Sequence, residues 1–301
     1  HSILPLDKSL TAAVALVVLI TGHMQNWAVA KGGSQSITKA LASYFRSLGG
    51  EIRTGHRVAS AADLPPARAY LFDTSPKALA EGFAGVLPAG YVRRLKKFRY
   101  GLGIFKVDYA LKHSIPWRDA NILKASTVHI GGTLAEIAAA EKEVWSGNHP
   151  QKPFVLLTQQ SEFDATRAPK GKHTLWAYCH VPNGSTVDMS AAIEGQIERF
   201  APGFRDTILK RHSMHTADFA TYNANYVGGA ITGGVSDLAQ FLTRPVARLN
   251  PYTTPNERIF LCSASTPPGG GVHGMCGFNA AETVLARIGK LSVSALQSYR
   301  S

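Results

Sequence analysis

Residues 265–288 read STPPGGGVHGMCGFNAAETVLARI, with five glycines in the nine positions from Gly269 to Gly277 and a helical pattern directly after them. A chain gives up side chains at that density where something comes close to its backbone or where φ must be positive. Gly269, Gly271 and Gly274 form a literal GxGxxG between an apolar run, RIFLCSAS, and a helix expected over residues 279–288, which is the setting a dinucleotide fingerprint requires. A first Rossmann unit also needs about 30 residues of βαβ and an acidic residue about 20 positions on. Only 27 residues follow Gly274, and none of the last 19 is acidic. The segment therefore reads as the closing strand, turn and helix of a cofactor domain, where unpaired helix N–H groups meet pyrophosphate or the edge of an electron-rich ring. The alternative is structural: glycines for close packing of helix on strand.

Upstream, KGGSQSITKALASYFRSLGGEIRTGHRV places Ile37, Ala40, Leu41, Tyr44, Phe45 and Leu48 at helical spacing, with Ser34 as candidate N-cap and Gly49-Gly50 as the stop. A strand is expected over 51–58. AYLFDTSP reads as a buried strand with a polar end, the place where ligands sit in open α/β sheets. Residues 98–250 change character: GIFKVDYAL, STVHIGG, PFVLLTQQS and HTLWAYCHV are strand-like pieces between Gly, Pro and Asn turns, and 133–145 and 189–200 are helical. The expected fold is α/β with an inserted α+β part: a helical segment at 1–30, a cofactor domain from 31–80 and 251–301, and an inserted substrate domain at 81–250 on a mixed or antiparallel sheet.

Composition narrows the function classes. The formal charge of +12 favours anionic partners, but the densest basic group, Arg93, Arg94, Lys96, Lys97 and Arg99, reads as a solvated face. Without an aromatic RNA-binding motif or helix-turn-helix signature, nucleic acid is not an expected partner. The three cysteines, Cys179, Cys262 and Cys276, are odd in number and widely spaced, so a reducing intracellular compartment is expected, and neither a disulfide framework nor a zinc site. The run from Leu10 to Thr21 is too short to span a membrane and is expected to be a buried helix. No GxSxG, P-loop or paired-carboxylate arrangement supports an esterase, NTPase or glycosidase.

RIFLCSASTPPGGGVHGMCGFNAA and KGGSQSITKALASYFRSLGGEIRTGHRV together closely resemble the phytoene-desaturase-like FAD-dependent oxidoreductases, specifically the phytoene dehydrogenase-related group that is similar to pyridine nucleotide-disulfide oxidoreductase domain 2. FRYGLGIFKVDYAL, TVHIGGTLAEIAAAE, TRAPKGKHTLWAYCHVPNGST, IERFAPGFRD and NANYVGG extend the resemblance over most of the chain. It implies a FAD-binding Rossmann-like domain of the glutathione-reductase or amine-oxidase type, whose N-terminal βαβ unit would precede His1. It further implies that Ser263, Ala264 and Ser265 lie beside the ribityl–pyrophosphate, and that Gly270, Gly271, Val272, Gly274 and Met275 bring backbone to the isoalloxazine. Val58 would approach the adenine, Gly32 and Gly33 would begin a helix on the cofactor domain, and Thr74 and Ser75 would face the cofactor from a strand end. Where the family pattern has Asp-Ile-Asn after NYVGG, this chain has Ala230, Ile231 and Thr232.

The expected chemistry is hydride removal from a C–H bond of an apolar small molecule by bound FAD. His273 is the candidate base, with a histidine fixed by backbone hydrogen bonds as the alternative. Asp108, Glu136 and Asp164 are further acid–base candidates, and Trp117, Trp176, Tyr178 and Phe200 could line an apolar cavity or simply fill the core. A peripheral membrane contact fits such a substrate. The competing function is a non-catalytic binding or scaffold module that kept the fold and lost the cofactor.

Overall fold

In the computed structural model, which describes residues 4–8, 11–25 and 28–298, alternating strands carry most of the core. In chain order the elements are α1 (Thr11–Gln25), α2 (Gln35–Ser47), β1 (Tyr70–Phe72), α3 (Pro76–Gly82), α4 (Ala89–Lys96), β2 (Gly103–Leu111), β3 (Thr127–Ile130), α5 (Leu134–Trp145), β4 (Val155–Thr158) and β5 (His173–Val181). They continue with α6 (Ser190–Phe200), α7 (Phe204–Thr207), β6 (Ile208–Met214), α8 (Thr216–Tyr222), α9 (Leu238–Thr243), β7 (Ile259–Leu261) and α10 (Met275–Ser298). The chain divides into two compact units, residues 1–56 with 102–218 and residues 57–101 with 219–301. The expected divisions at 30, 80 and 250 are thereby redrawn: 31–56 belong with the inserted sheet, and 81–101 and 219–250 with the terminal strand and helix.

The first unit is built on a five-stranded sheet in the order β3-β4-β5-β2-β6, with every neighbouring pair antiparallel. In β2, Phe105, Val107, Tyr109 and Leu111 point to one face and are buried, while Lys106, Asp108 and Ala110 between them are half-exposed, as a two-residue period demands. That buried face meets Leu175, Ala177 and Cys179 of β5 and the Ile193 and Ile197 side of α6, and Tyr109 packs edge-on to Phe204 with ring centroids 5.5 Å apart. The Thr133 hydroxyl accepts the Glu136 N–H at 3.2 Å while the Glu136 carboxylate accepts the Thr133 N–H, a reciprocal cap that starts α5 where its sequence places it. Lys210, Arg211 and His212 line the outer strand β6, where charge discourages further pairing.

Three sequence expectations are corrected in the terminal segments. α1 is helical, yet Leu16, Val17, Leu19 and Ile20 are more than half exposed; a helix apolar all round has no preferred face to bury, so pattern alone does not say what covers it. α2 forms and stops as expected, with Gly49 at φ +83° and the Gly50 N–H donated to the Phe45 carbonyl, but Ser34 makes no side-chain cap and no α2 residue is buried. Residues 51–58 are exposed and form no strand, because among the described residues no neighbouring strand supplies a ladder.

The second unit is a parallel pair, β1 and β7, in the register Tyr70↔Ile259, Leu71↔Phe260 and Phe72↔Leu261. β1 is less buried than its composition suggests, since Leu71 is 42% exposed. Ser75 caps α3 by accepting the Ala78 N–H, and Pro76 follows at the first helical position, where its missing N–H costs nothing. Leu79 of α3, Phe83 just after it, and Tyr91, Val92 and Leu95 of α4 pack on Ile259 and Leu261. The basic residues Arg93, Arg94, Lys96 and Lys97 face solvent, as the sequence reading expects. The final helix begins at Met275, four residues before the expected start.

Candidate functional site

Strands in a parallel pair end on the same side, so the polar residues after β1 and β7 converge there. Asp73 and Ser75 follow β1; Ser263, Ala264 and Ser265 follow β7; Tyr100, Asn225, Ala230 and Gly233 complete a cleft of about 170 Å³ within the second unit. That volume accommodates one end of a dinucleotide rather than the whole of it. The Ser75 N–H donates to the Asn225 side-chain oxygen at 2.8 Å, and the Tyr100 hydroxyl accepts the Lys77 N–H at 2.9 Å, so both walls are tied by hydrogen bonds. The Ser263 and Ser265 hydroxyls are 2.5 Å apart, and Thr266 turns the chain by donating its N–H and hydroxyl to the Ser263 carbonyl. Burial pushes the Asp73 carboxyl and the Tyr100 phenol above their ordinary pKa values.

The glycines have two separate causes. A Cβ on Gly270 would stand 2.6 Å from the Thr232 carbonyl oxygen, and one on Gly233 would stand 2.5 Å from the Ala264 Cβ. The 230–234 and 263–271 segments thus touch backbone to backbone, and at these two positions the structural explanation accounts for glycine. Gly274 is different: its Cβ would meet nothing within 4 Å, but its φ of +64° favours glycine. Beneath this contact lies Arg244, 2% exposed, donating to the carbonyl oxygens of Gly233, Ala264 and Ser265 and to the Ser236 hydroxyl.

The structure brings Thr74, Ser75, Ser263, Ala264 and Ser265 to the cleft or its edge. Gly271, Val272, His273, Gly274 and Met275 form an exposed turn into α10. His273 Nδ1 accepts the Met275 N–H at 3.0 Å, the backbone-fixed alternative of the sequence reading. Gly32 and Gly33 belong to the other unit, where the Gly32 N–H donates to Asp164 and its carbonyl accepts from Arg167. Asp164 is therefore a loop anchor, its carboxyl held low by the Thr166 hydroxyl first and the Gly32 N–H next. Val58 is exposed and lies outside the cleft.

Asp108 pairs with Lys106, and Glu136 is held by its cap and by Arg199. Trp117 is buried and donates its indole N–H to Gln159, while Trp176 and Tyr178 stack at 6.0 Å on the sheet. Phe200 packs partly buried against the first unit's core. Sequence reasoning put Asp73 at the polar strand end where ligands sit without naming it a site residue, and missed Tyr100 and Asn225 as cleft residues, and Arg244. Asp73 carries a signal, a carboxylate at a strand end; a single arginine before a proline carries none.

Two observations bear on a flavin. The Thr74 hydroxyl is buried without a hydrogen-bond partner, and the turn into α10 presents exposed, side-chain-poor backbone. With the Ser263 and Ser265 hydroxyls these residues fit a polar, phosphate-bearing group. Among the described residues no cluster of His, Cys, Asp and Glu suits a metal, all three cysteines are free, and no helix is long and apolar enough to cross a membrane.

No family model matches the chain. Over 304 residues it is 24% identical to pyridine nucleotide-disulfide oxidoreductase domain-containing protein 2 of Mus musculus, covering 88% of this chain and 52% of that protein. It is 28% identical over 306 residues to an uncharacterized protein of Mycobacterium tuberculosis, covering 89% and 57%. The chain spans about half the length of the curated relatives it matches. Among solved structures, an oxidoreductase from Methanosarcina mazei superposes with a TM-score of 0.51 at 15% identity, over 85% of this chain and 55% of that one, a likeness of fold.

Proposed function

We propose that this chain is part of a FAD-dependent oxidoreductase of the phytoene dehydrogenase-related kind, with the second unit holding one end of the cofactor. The observation that carries the reading is the polar cleft at the shared ends of β1 and β7, followed by the exposed glycine turn into α10. The names of the curated relatives and the fold of the solved oxidoreductase support it. A βαβ unit placed beside β1 is part of the proposal, and the open edge of β1 supports it. Tyr70 and Phe72 direct their backbone groups to β7, so Leu71 directs its N–H and C=O to the opposite edge, whereas the far edge of β7 is already occupied by Tyr252. A further parallel strand fits beside β1.

FAD, when bound, would supply hydride acceptance from a C–H bond. The chain's own residues supply placement. Ser263 and Ser265 offer hydroxyls, Thr74 offers an unpaired hydroxyl, and the first turn of α10 offers N–H groups and partial positive charge. Asp73 lines the cleft wall, its carboxyl pKa raised by desolvation. His273 can hold a proton only on Nε2 while Nδ1 accepts the Met275 N–H. An apolar substrate, a desaturase-type reaction, a peripheral membrane contact and the absence of a nucleic-acid partner belong to the same reading.

The test is the visible absorption spectrum after incubation with FAD and desalting, on this chain and on a form extended upstream. A flavin band retained by the extended form supports the proposal. No band in either form overturns it and leaves the non-catalytic binding module, which would fit Ala230 and Thr232 standing where the family resemblance implies a carboxylate and an amide.

A further inference from the structure

Arg244 is a full positive charge, 2% exposed, whose partners are three backbone carbonyls and one hydroxyl. Among the described residues no carboxylate pairs with it, and burial lowers its pKa with only the Cys276 thiol acting in the other direction. A buried cation is normally matched by an acid, because carbonyl dipoles replace water but do not neutralise charge. The carbonyls it holds belong to Gly233, Ala264 and Ser265, all three of which line the cleft. In a planar trans peptide the N–H points opposite to the C=O. Drawing these carbonyls toward Arg244 therefore turns the following amides, at Gly234, Ser265 and Thr266, away from it, those of Ser265 and Thr266 onto the Ser263 hydroxyl and carbonyl. One guanidinium N–H of the five remains uncommitted on Nη1, the atom that would lie 3.1 Å from a Cβ on Gly269, so close approach and charge coincide at the start of the glycine turn.

We propose that Arg244 is a positioning residue that makes this wall of the cleft selective for a phosphate-bearing ligand, whose negative charge is the counter-charge the fold omits. The inference rests on the flavin reading for the identity of that ligand, but not for its charge. Arginine suits the task better than lysine because one planar fork reaches all four acceptors at once.

The experiment measures thermal shift and equilibrium binding of three probes, inorganic pyrophosphate, FAD and riboflavin, on the chain and its upstream-extended form, with potassium chloride at matched ionic strength as reference. R244Q removes the charge, R244K keeps it but not the fork, and S236A removes one hydrogen bond and no charge. The expected result is that pyrophosphate and FAD bind at least tenfold more weakly to R244Q, riboflavin is unaffected, and R244K retains most of the phosphate affinity despite lower stability. A purely structural arginine would weaken all three probes in proportion to lost stability and would make R244K resemble R244Q.

Pyrophosphate bound through Arg244 without retention of either flavin upholds this proposal and overturns the flavin reading. FAD retained equally by wild type and R244Q does the reverse. Where R244Q does not fold, the wild type alone decides: stabilisation by pyrophosphate beyond matched chloride supports the proposal, and none overturns it.

Discussion

Replacing Gly233 by alanine incurs two costs that the structure separates. The residue sits at φ +71°, where a Cβ meets its own following carbonyl at about 1–2 kcal/mol. The new methyl would also stand 2.5 Å from the Ala264 Cβ and 2.6 Å from the Ala264 carbonyl carbon, and backbone cannot swing aside as a side-chain tip can. Overpacking of that kind costs about 1–3 kcal/mol, so G233A should lose about 2–5 kcal/mol in total. Gly274 is the matched control in the same unit: its φ is +64°, but a Cβ there meets nothing within 4 Å, so G274A should lose only the first term. Urea unfolding followed by circular dichroism reads the difference as a shift in midpoint at unchanged slope. The excess loss in G233A over G274A should be about 1–3 kcal/mol. Equal losses would show that the 230–234 segment does not press on the 263–265 turn, and the derivation of the glycines would fail with it.

Asp73 provides a pH test. Its folded-state pKa is raised by burial, so ionisation is penalised in the native state; the penalty is present above the folded pKa and fades as pH falls through it, vanishing below the unfolded value. D73N should therefore be more stable than wild type at pH 7 and indistinguishable from it below about pH 3, read from melting temperatures across that range. T133A should cost about 1 kcal/mol by removing the acceptor of the Glu136 N–H at the start of α5, measurable by thermal unfolding, with T133S restoring most of it. Burial pushes the Cys262 thiol up to about 12 and the fully buried Cys179 up further, so at pH 8 neither should react with a disulfide reagent until urea unfolds the chain. Rapid native labelling at either would contradict their packing.

How far the chain could be read from its residues differs from element to element. Helices α5 and α6 emerge within a residue of their expected starts, because an apolar stripe and, for α5, a Thr-Glu cap act within a few residues of one another. The four strands expected between 98 and 181 are present because strand-favouring runs bounded by Gly, Pro and Asn turns are written locally; alternation of burial marks only β2, while β4 is buried throughout. The strand expected over 51–58 shows the limit, since a strand needs hydrogen bonds from a neighbour that its own residues do not specify. α1 shows another: an apolar helix without a polar face is recognisable as a helix, but its surroundings are not.

The candidate site divides along the same line. By itself the sequence determined that the segment from 269 to 277 is glycine-rich, that a strand precedes it and a helix follows, and that the residues after β1 and β7 are polar, because each of these is written within a few positions. Only the tertiary structure decided that Thr232 and Ala264 are what crowd Gly270 and Gly233, that His273 serves a helix start, and that Arg244 lies under the cleft with no acid paired to it among the described residues. Close approach, burial and missing counter-charge are relations between segments far apart along the chain, and they acquire values only when packing brings those segments together.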